Sequence, residues 1–231
     1  MMGTMLENSV FFGVVLSIAS YMLGTYLKKK FKLAILNPLL VSVVVIIGFL
    51  LLFNIDYDKY NEGAQYLSYL LTPVTVCLAI PLYQQFELLK KNIKAVILGI
   101  TSGVLTSLTC IFVMSLMFRL DHQEYVTILP KSITTAIGLG VSEELGGYVN
   151  ITCAVIMVTG ILGNVIAEFV CKIFRINEPV AKGIAIGTAS HAIGTTKAME
   201  MGEAEGAMSS LSIAVAGLLT VVFASIYAQF I

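Results

Sequence analysis

Five blocks of this chain are long enough and apolar enough to cross a lipid bilayer, or nearly so: Ser9–Leu27, Ala34–Phe53, Ala95–Phe118, Ile151–Val170 and Ala207–Ile231. A spanning helix needs about 20 mostly apolar residues. The alternative is a large soluble helical core, and composition argues against it. Of the 231 residues, 58% are hydrophobic and 12% charged, whereas soluble domains carry about 25% charged residues. Mean hydropathy is +0.92. Too few polar residues remain to cover five such helices with a water-facing surface. The chain therefore reads as an all-α, polytopic membrane protein forming a single transmembrane domain over residues 1–231, with the lipid bilayer as its surroundings.

A formal net charge of +0 leaves no footprint for nucleic acid. Cys77, Cys110, Cys153 and Cys171 are scattered through or beside apolar blocks, with no CxxC or other metal spacing. They read as reduced, buried packing residues. Residues 1–8 lack Lys and Arg, and the basic cluster 28–32 follows the first apolar block, so that block reads as a retained anchor.

Cationic loops stay in the cytoplasm. Lys28, Lys29, Lys30 and Lys32 place the first loop inside and the N-terminus outside. Asp56, Asp58 and Glu62 suit an outside loop, and 63–89 returns inward to Lys90, Lys91 and Lys94. Ala95–Phe118 then goes out, and Val149–Val170 comes back to Lys172, Arg175 and Lys182. Val126–Tyr148, between these two, must start and finish outside, which makes it a re-entrant hairpin. Pro179–Met201 is expected to cross outward to the acidic stretch Glu200–Glu205, and Ala207–Ile231 to return. The sum is about seven spanning helices plus one hairpin.

Three segments are poor uniform helices: 64–89 with Pro73 and Pro81, 126–148 with Pro130 and Lys131, and 183–201 with its hydroxyls, His191 and Lys197. Proline removes a backbone hydrogen bond, and broken backbone in a membrane survives only against protein or a water-filled cavity. The order helix, broken segment, helix occurs in 34–118 and again in 149–231 with opposite sense. Inverted-repeat transporters have that pattern and build substrate sites from interrupted helices.

Lys131 is the candidate cation of such a site. A lysine at the centre of a spanning helix costs about 2.5–3.5 kcal/mol, so one kept at depth needs a partner, for which an anionic substrate qualifies. A lysine snorkelling near the outer surface is the other reading. Ser132, Thr134 and Thr135 offer hydroxyls beside it. On the third segment His191 could bind substrate or carry a proton, or could be bonded to backbone without a transport role. Glu168 could pair with Lys131 or Lys197, or with Lys172 at the inner interface. Gly99 and Gly103 make a small-xxx-small step that reads as close helix packing. Neither Ser190 nor Gly138-Leu139-Gly140 completes an enzyme or dinucleotide motif, so no catalytic role and no cofactor are expected.

Thr72-Pro73-Val74-Thr75-Val76-Cys77-Leu78-Ala79-Ile80-Pro81-Leu82-Tyr83, Pro130-Lys131-Ser132-Ile133-Thr134-Thr135 and Gly187-Thr188-Ala189-Ser190-His191-Ala192-Ile193-Gly194-Thr195 resemble three signatures of the LrgB/CidB family, in order along the whole chain. Ala136 and Ala192 stand where that family often has Pro and Gly. The resemblance implies a bacterial cytoplasmic-membrane protein that often acts with a small LrgA/CidA-type partner; assembly as a homo-oligomer is a separate expectation. It implies either a carrier of small monocarboxylates such as pyruvate, glycolate or glycerate, or an antiholin-like regulator of murein hydrolases and lysis. The expected carrier site comprises Pro73, Thr75, Pro81, Lys131, Ser132, Thr134, Thr135, Thr188, Ser190, His191, Gly194, Thr195 and Lys197.

Overall fold

The computed structural model describes residues 11–31, 36–70, 73, 76–77 and 79–231, without the side chains of Ala79, Pro81 and Leu82. Every regular element among the described residues is helical. The chain divides into two compact units, Met1–Cys77 and Leu78–Ile231.

The first unit holds α1 (Phe12–Phe31), α2 (Pro38–Phe53), α3 (Tyr57–Ala64) and a 3-10 turn (Gln65–Leu70). Asn37 caps α2, its side chain accepting from the Leu39 N–H at 2.8 Å, with Pro38 at the first helical position. There a missing N–H costs nothing. At the other end Asn54 takes a left-handed φ of 50° and the Ile55 N–H donates to the Leu50 carbonyl at 2.9 Å, closing off the helix. Gly24 of α1 lets the Pro38 backbone approach to 2.7 Å of where a β-carbon would stand.

The second unit holds α4 (Ala79–Gln84), α5 (Phe86–Phe118), α6 (His122–Ile128), α7 (Thr135–Glu144), α8 (Val149–Ile173), α9 (Pro179–Met201) and α10 (Glu203–Tyr227), with a last 3-10 turn at Ala228–Phe230. Among the described residues three helical stretches are long and apolar enough to cross a membrane: α5, α8, and α10 with its 3-10 extension. Their outward faces carry Leu98, Met117, Phe169 and Leu218, all exposed. Such faces would be costly in water and suit lipid.

Residues 122–148 fold back on themselves. Asp121 starts α6 with a capping box, accepting from the Glu124 N–H at 2.8 Å while the Glu124 carboxylate accepts from the Asp121 N–H at 3.1 Å. After the break at 129–134, α7 returns. The Tyr148 N–H donates to Thr127 Oγ1 at 2.7 Å, and Thr152 Oγ1 donates to the Thr127 carbonyl at 2.9 Å. At about 1.5 Å per residue neither α6 nor α7 alone spans a bilayer core of about 30 Å. The hairpin's base packs at the far end of α10. There Tyr125 OH donates to the Tyr227 carbonyl at 3.0 Å, and His122 Nδ1 lies 2.7 Å from the Ile231 carbonyl oxygen. Its tip reaches inward, with Ile137 against Gly217 and Gly138 against Ile156.

Residues 179–201, expected to cross, fold back as well. α9 breaks at His191, whose φ of 42° and ψ of −142° are not helical. Ile186 then contacts Gly194, with its Cγ2 3.1 Å from the β-carbon position there. Those residues would lie about 12 Å apart along an unbroken helix. At the base, Lys182 near the start of α9 pairs with Glu205 just past its end, at 3.9 Å. The acidic stretch at 200–205 therefore lies at the same end as Lys182, which corrects the outward crossing read from charge. The expected repeat half 34–118 extends over both units and includes residues outside those described. The basic residues Lys90, Lys91 and Lys94 belong to the start of α5, and Lys172 and Arg175 to the end of α8 and the turn after it.

The folded-back α9 has a direct test. With cysteine at Asn177 and, separately, at Glu203, a membrane-impermeant maleimide should label both from the same side of the membrane. Labelling from opposite sides would restore the crossing.

A candidate anion cavity between broken helices

Two stripes of small residues face each other in the second unit. On α5, Ala95, Gly99, Gly103 and Ser107 recur every fourth residue, and on the first arm of α9 so do Ala181, Ala185 and Ala189. Residues four apart share a helix face. The space the two stripes leave is a cavity of about 740 Å³. Gly103 brings Thr188 of α9 close, its Cγ2 2.8 Å from the β-carbon position.

The inner end of the cavity is polar. Lys131 Nζ donates to Ser132 Oγ at 2.9 Å, and Ser132 Oγ lies 3.2 Å from Ser107 Oγ. Lys131, Ser132, Ser107 and Cys110 all line the space. Ser107 lies about two-thirds of the way along α5, so the break at 129–134 carries Lys131 to a level well inside that helix and not to its end. Among the described residues no carboxylate lies within ion-pair distance of Lys131. Thr188, on the α9 wall, is buried, and its hydroxyl has no hydrogen-bond partner among the described residues. Asn92 and Glu178 line the cavity toward the end that carries Lys90, Lys91 and Lys94.

Of the expected site residues, the structure brings Lys131, Ser132 and Thr188 together in this cavity. Thr134 and Thr135 start α7 beside it without lining it, and Thr134 makes no side-chain cap. Ser190, His191, Gly194 and Thr195 form the bend of α9. The His191 ring is 2% exposed, its Nε2 3.1 Å from the Ile156 carbonyl oxygen. It lies against Gly160, where a β-carbon would stand 2.7 Å from Cε1. Ser190 rests in the same way on Gly163. Thr195 Oγ1 lies 2.9 Å from the His191 carbonyl oxygen and 2.7 Å from Ser209 Oγ, and Asn164 Nδ2 donates to the Ile193 carbonyl at 2.7 Å. These contacts satisfy groups that the break exposes.

Lys197 lies in a separate polar cleft of about 560 Å³ with Lys172 and Lys182. It pairs with Glu168 at 3.0 Å and with Glu200 at 3.5 Å. Pro73 is exposed; Thr75 and the Pro81 side chain lie outside what is described. The cysteines differ from expectation too: all four are free thiols, but only Cys171 is buried, and Cys110 lines the cavity. The α5 wall, with Ser107 and Gly103, was missed as a site. Its signal was the four-residue spacing of small residues from Ala95 to Ser107.

Three long apolar helices with exposed apolar faces, packed with two helical segments that break and fold back, define a helical membrane protein. The LrgB-like family matches residues 17–230. The antiholin-like protein LrgB of Bacillus subtilis (strain 168) is 35% identical over 224 residues, 96% of this chain and 97% of that one. Those of Bacillus cereus (strain B4264) and Bacillus anthracis (strain CDC 684 / NRRL 3495) are each 37% identical over 222 residues, 96% of either chain. No solved structure matches the chain. The chain belongs to the LrgB-like family.

The packing of His191 on Gly160 sets an expectation. Gly160→Leu should lower the melting temperature in detergent by an amount corresponding to about 1–3 kcal/mol, the usual cost of overpacking. An unchanged melting temperature would contradict the described seat of the ring.

Proposed function

We propose that this chain is a carrier of small monocarboxylates in a bacterial cytoplasmic membrane. One observation carries the reading: the Lys131 ammonium lines a cavity well inside the spanning helices with no carboxylate beside it. A charge held there without a partner is expensive, and a small carboxylate would supply the missing partner together with acceptors for Ser132, Ser107 and Thr188. A single ammonium with hydroxyls about it, and the Glu178 carboxylate toward the opposite end of the cavity, suits one negative charge held beside Lys131. His191, held to backbone at the bend, then serves the site as the hinge of its α9 wall and not as a proton carrier.

The charge rule puts the end with Lys90, Lys91, Lys94, Lys172 and Arg175 in the cytoplasm, so the cavity opens inward. The hairpin 122–148 enters from the outer side and α9 from the inner. A crossing helix followed by a hairpin then occurs twice in opposite sense, over 86–148 and 149–201. That arrangement is an alternative to the halves 34–118 and 149–231 and supports a site at the meeting of two inverted elements.

A second reading is an antiholin-like membrane protein that regulates murein hydrolase activity and lysis, acting with a small LrgA/CidA-type partner. The names of the relatives favour it over the carrier reading; the cavity and its lysine favour the carrier. Proteoliposomes separate the two. Labelled pyruvate or glycolate should enter saturably, with competition by unlabelled substrate. Non-saturable leakage, or no flux from the protein with or without its partner, would leave only the second reading. Lys131→Ala should raise KM by about 30-fold, corresponding to ~2 kcal/mol for removing one partner of a buried charge pair, while leaving the melting temperature unchanged or higher. Equal loss of folding yield and of affinity would make Lys131 structural.

A further inference from the structure

Among the described residues, every side-chain hydroxyl oxygen that is fully shut off from solvent has a hydrogen-bond partner, with one exception. Ser210 and Ser212 return theirs to carbonyls four residues back, at 2.8 and 2.7 Å, and Thr195 does the same at 2.9 Å. Thr188 is the exception. It is 6% exposed and its Oγ1 has no partner among the described residues, although buried polar groups are normally bonded. Its side chain is turned instead toward α5, where the β-carbon position of Gly103 lies 2.8 Å from Cγ2 and 4.0 Å from Oγ1. Both residues line the cavity, and Ser107 stands one turn along α5 from Gly103.

We infer that the Thr188 hydroxyl is a ligand-binding group of the cavity, and that Gly103 is a specificity-determining residue because only the absence of a side chain there allows that hydroxyl its position. What is bound, an anion, rests on the reading above. Lys131 and Ser132 hold the charge, and Thr188 adds a separate hydrogen bond from the α9 wall. α5, through Gly103 and Ser107, becomes a wall of the site and not merely a packing helix. A methyl at residue 103 would push Thr188 Cγ2 away and carry Oγ1 with it.

The test uses the full chain with Cys77, Cys153 and Cys171 replaced by alanine, so that N-ethylmaleimide reads only Cys110. Pyruvate is the protecting probe, and ligand-free melting in detergent is the second readout. Thr188→Val, which keeps the shape and removes the hydroxyl, should raise the half-protecting concentration about tenfold, as loss of one hydrogen bond to a charged ligand does. Its ligand-free melting temperature should hold or rise, because an unmet hydroxyl has gone. Gly103→Ala should weaken protection similarly. Adding Thr188→Ser to it, which removes Cγ2 and keeps the hydroxyl, should recover most of the loss.

Protection by pyruvate in Thr188→Val equal to that of the parent overturns the assignment. So does a fall in melting temperature that parallels the loss of protection, or a double variant no better than Gly103→Ala, or a parent whose Cys110 pyruvate does not protect. Protection of Cys110 without any saturable uptake leaves the assignment standing and removes the carrier reading instead.

Discussion

A backbone N–H or carbonyl left unpaired in hydrocarbon costs several kcal/mol, and the second unit is arranged around that cost. Two of its helical segments break, at 129–134 and at His191. At the second break, neighbouring intact helices supply what the missing turn does not, whereas the first keeps local bonds, the Lys131 N–H donating to the Ile128 carbonyl and the Ile133 N–H to the Pro130 carbonyl. Asn164 of α8 donates to the Ile193 carbonyl beyond the second break, and Ser209 of α10 meets Thr195. The glycines at 160 and 163 let α8 lie close enough to the bend to do this. Side chains in the bend thus serve the backbone first, which explains why so many of its hydroxyls do not line the cavity.

The same enclosure makes the breaks useful. A break exposes side chains at a depth that an unbroken lipid-facing helix could not tolerate as polar. Lys131, Ser132 and Ser107 form a short hydrogen-bonded chain at one end of a cavity whose walls are mostly small and apolar, with Asn92 and Glu178 toward the other end. The proposed carrier site needs little else: one charge, a few hydroxyls, and room. The ion pairs of Lys182 with Glu205 and of Lys197 with Glu168 tie the two arms of α9 to α10 and α8 respectively. They lie at the base of the hairpin, away from the cavity's polar end.

The membrane class and the apolar helices α5, α8 and α10 were legible from apolar length alone. The fold-back of 126–148 was legible from charge, since its flanking helices run in opposite senses. The fold-back of 179–201 was not. Its acidic end at Glu200–Glu205 read as an outer loop, whereas Glu205 is acidic because it faces Lys182. Charge bookkeeping cannot distinguish a topogenic carboxylate from a paired one. The motif around His191 was visible as polar, but its role as a bend depends on a positive φ that no residue pattern announced. Lys197 looked like a second site cation, whereas it pairs with Glu168, one of the partners the sequence had offered that carboxylate. The α5 wall was hidden by a sound rule, that small residues at four-residue spacing mean helix packing. Here they also leave the space that the packing partner does not fill.

The central claim is that the break at 129–134 carries Lys131 to the middle of the membrane. A structure of the protein in a lipid nanodisc measures this most directly, because the bilayer density fixes depth. The account predicts the Lys131 ammonium near the bilayer midplane, facing a cavity open toward the basic end of α5 and α8. A Lys131 side chain lying in the plane of the lipid headgroups would contradict it.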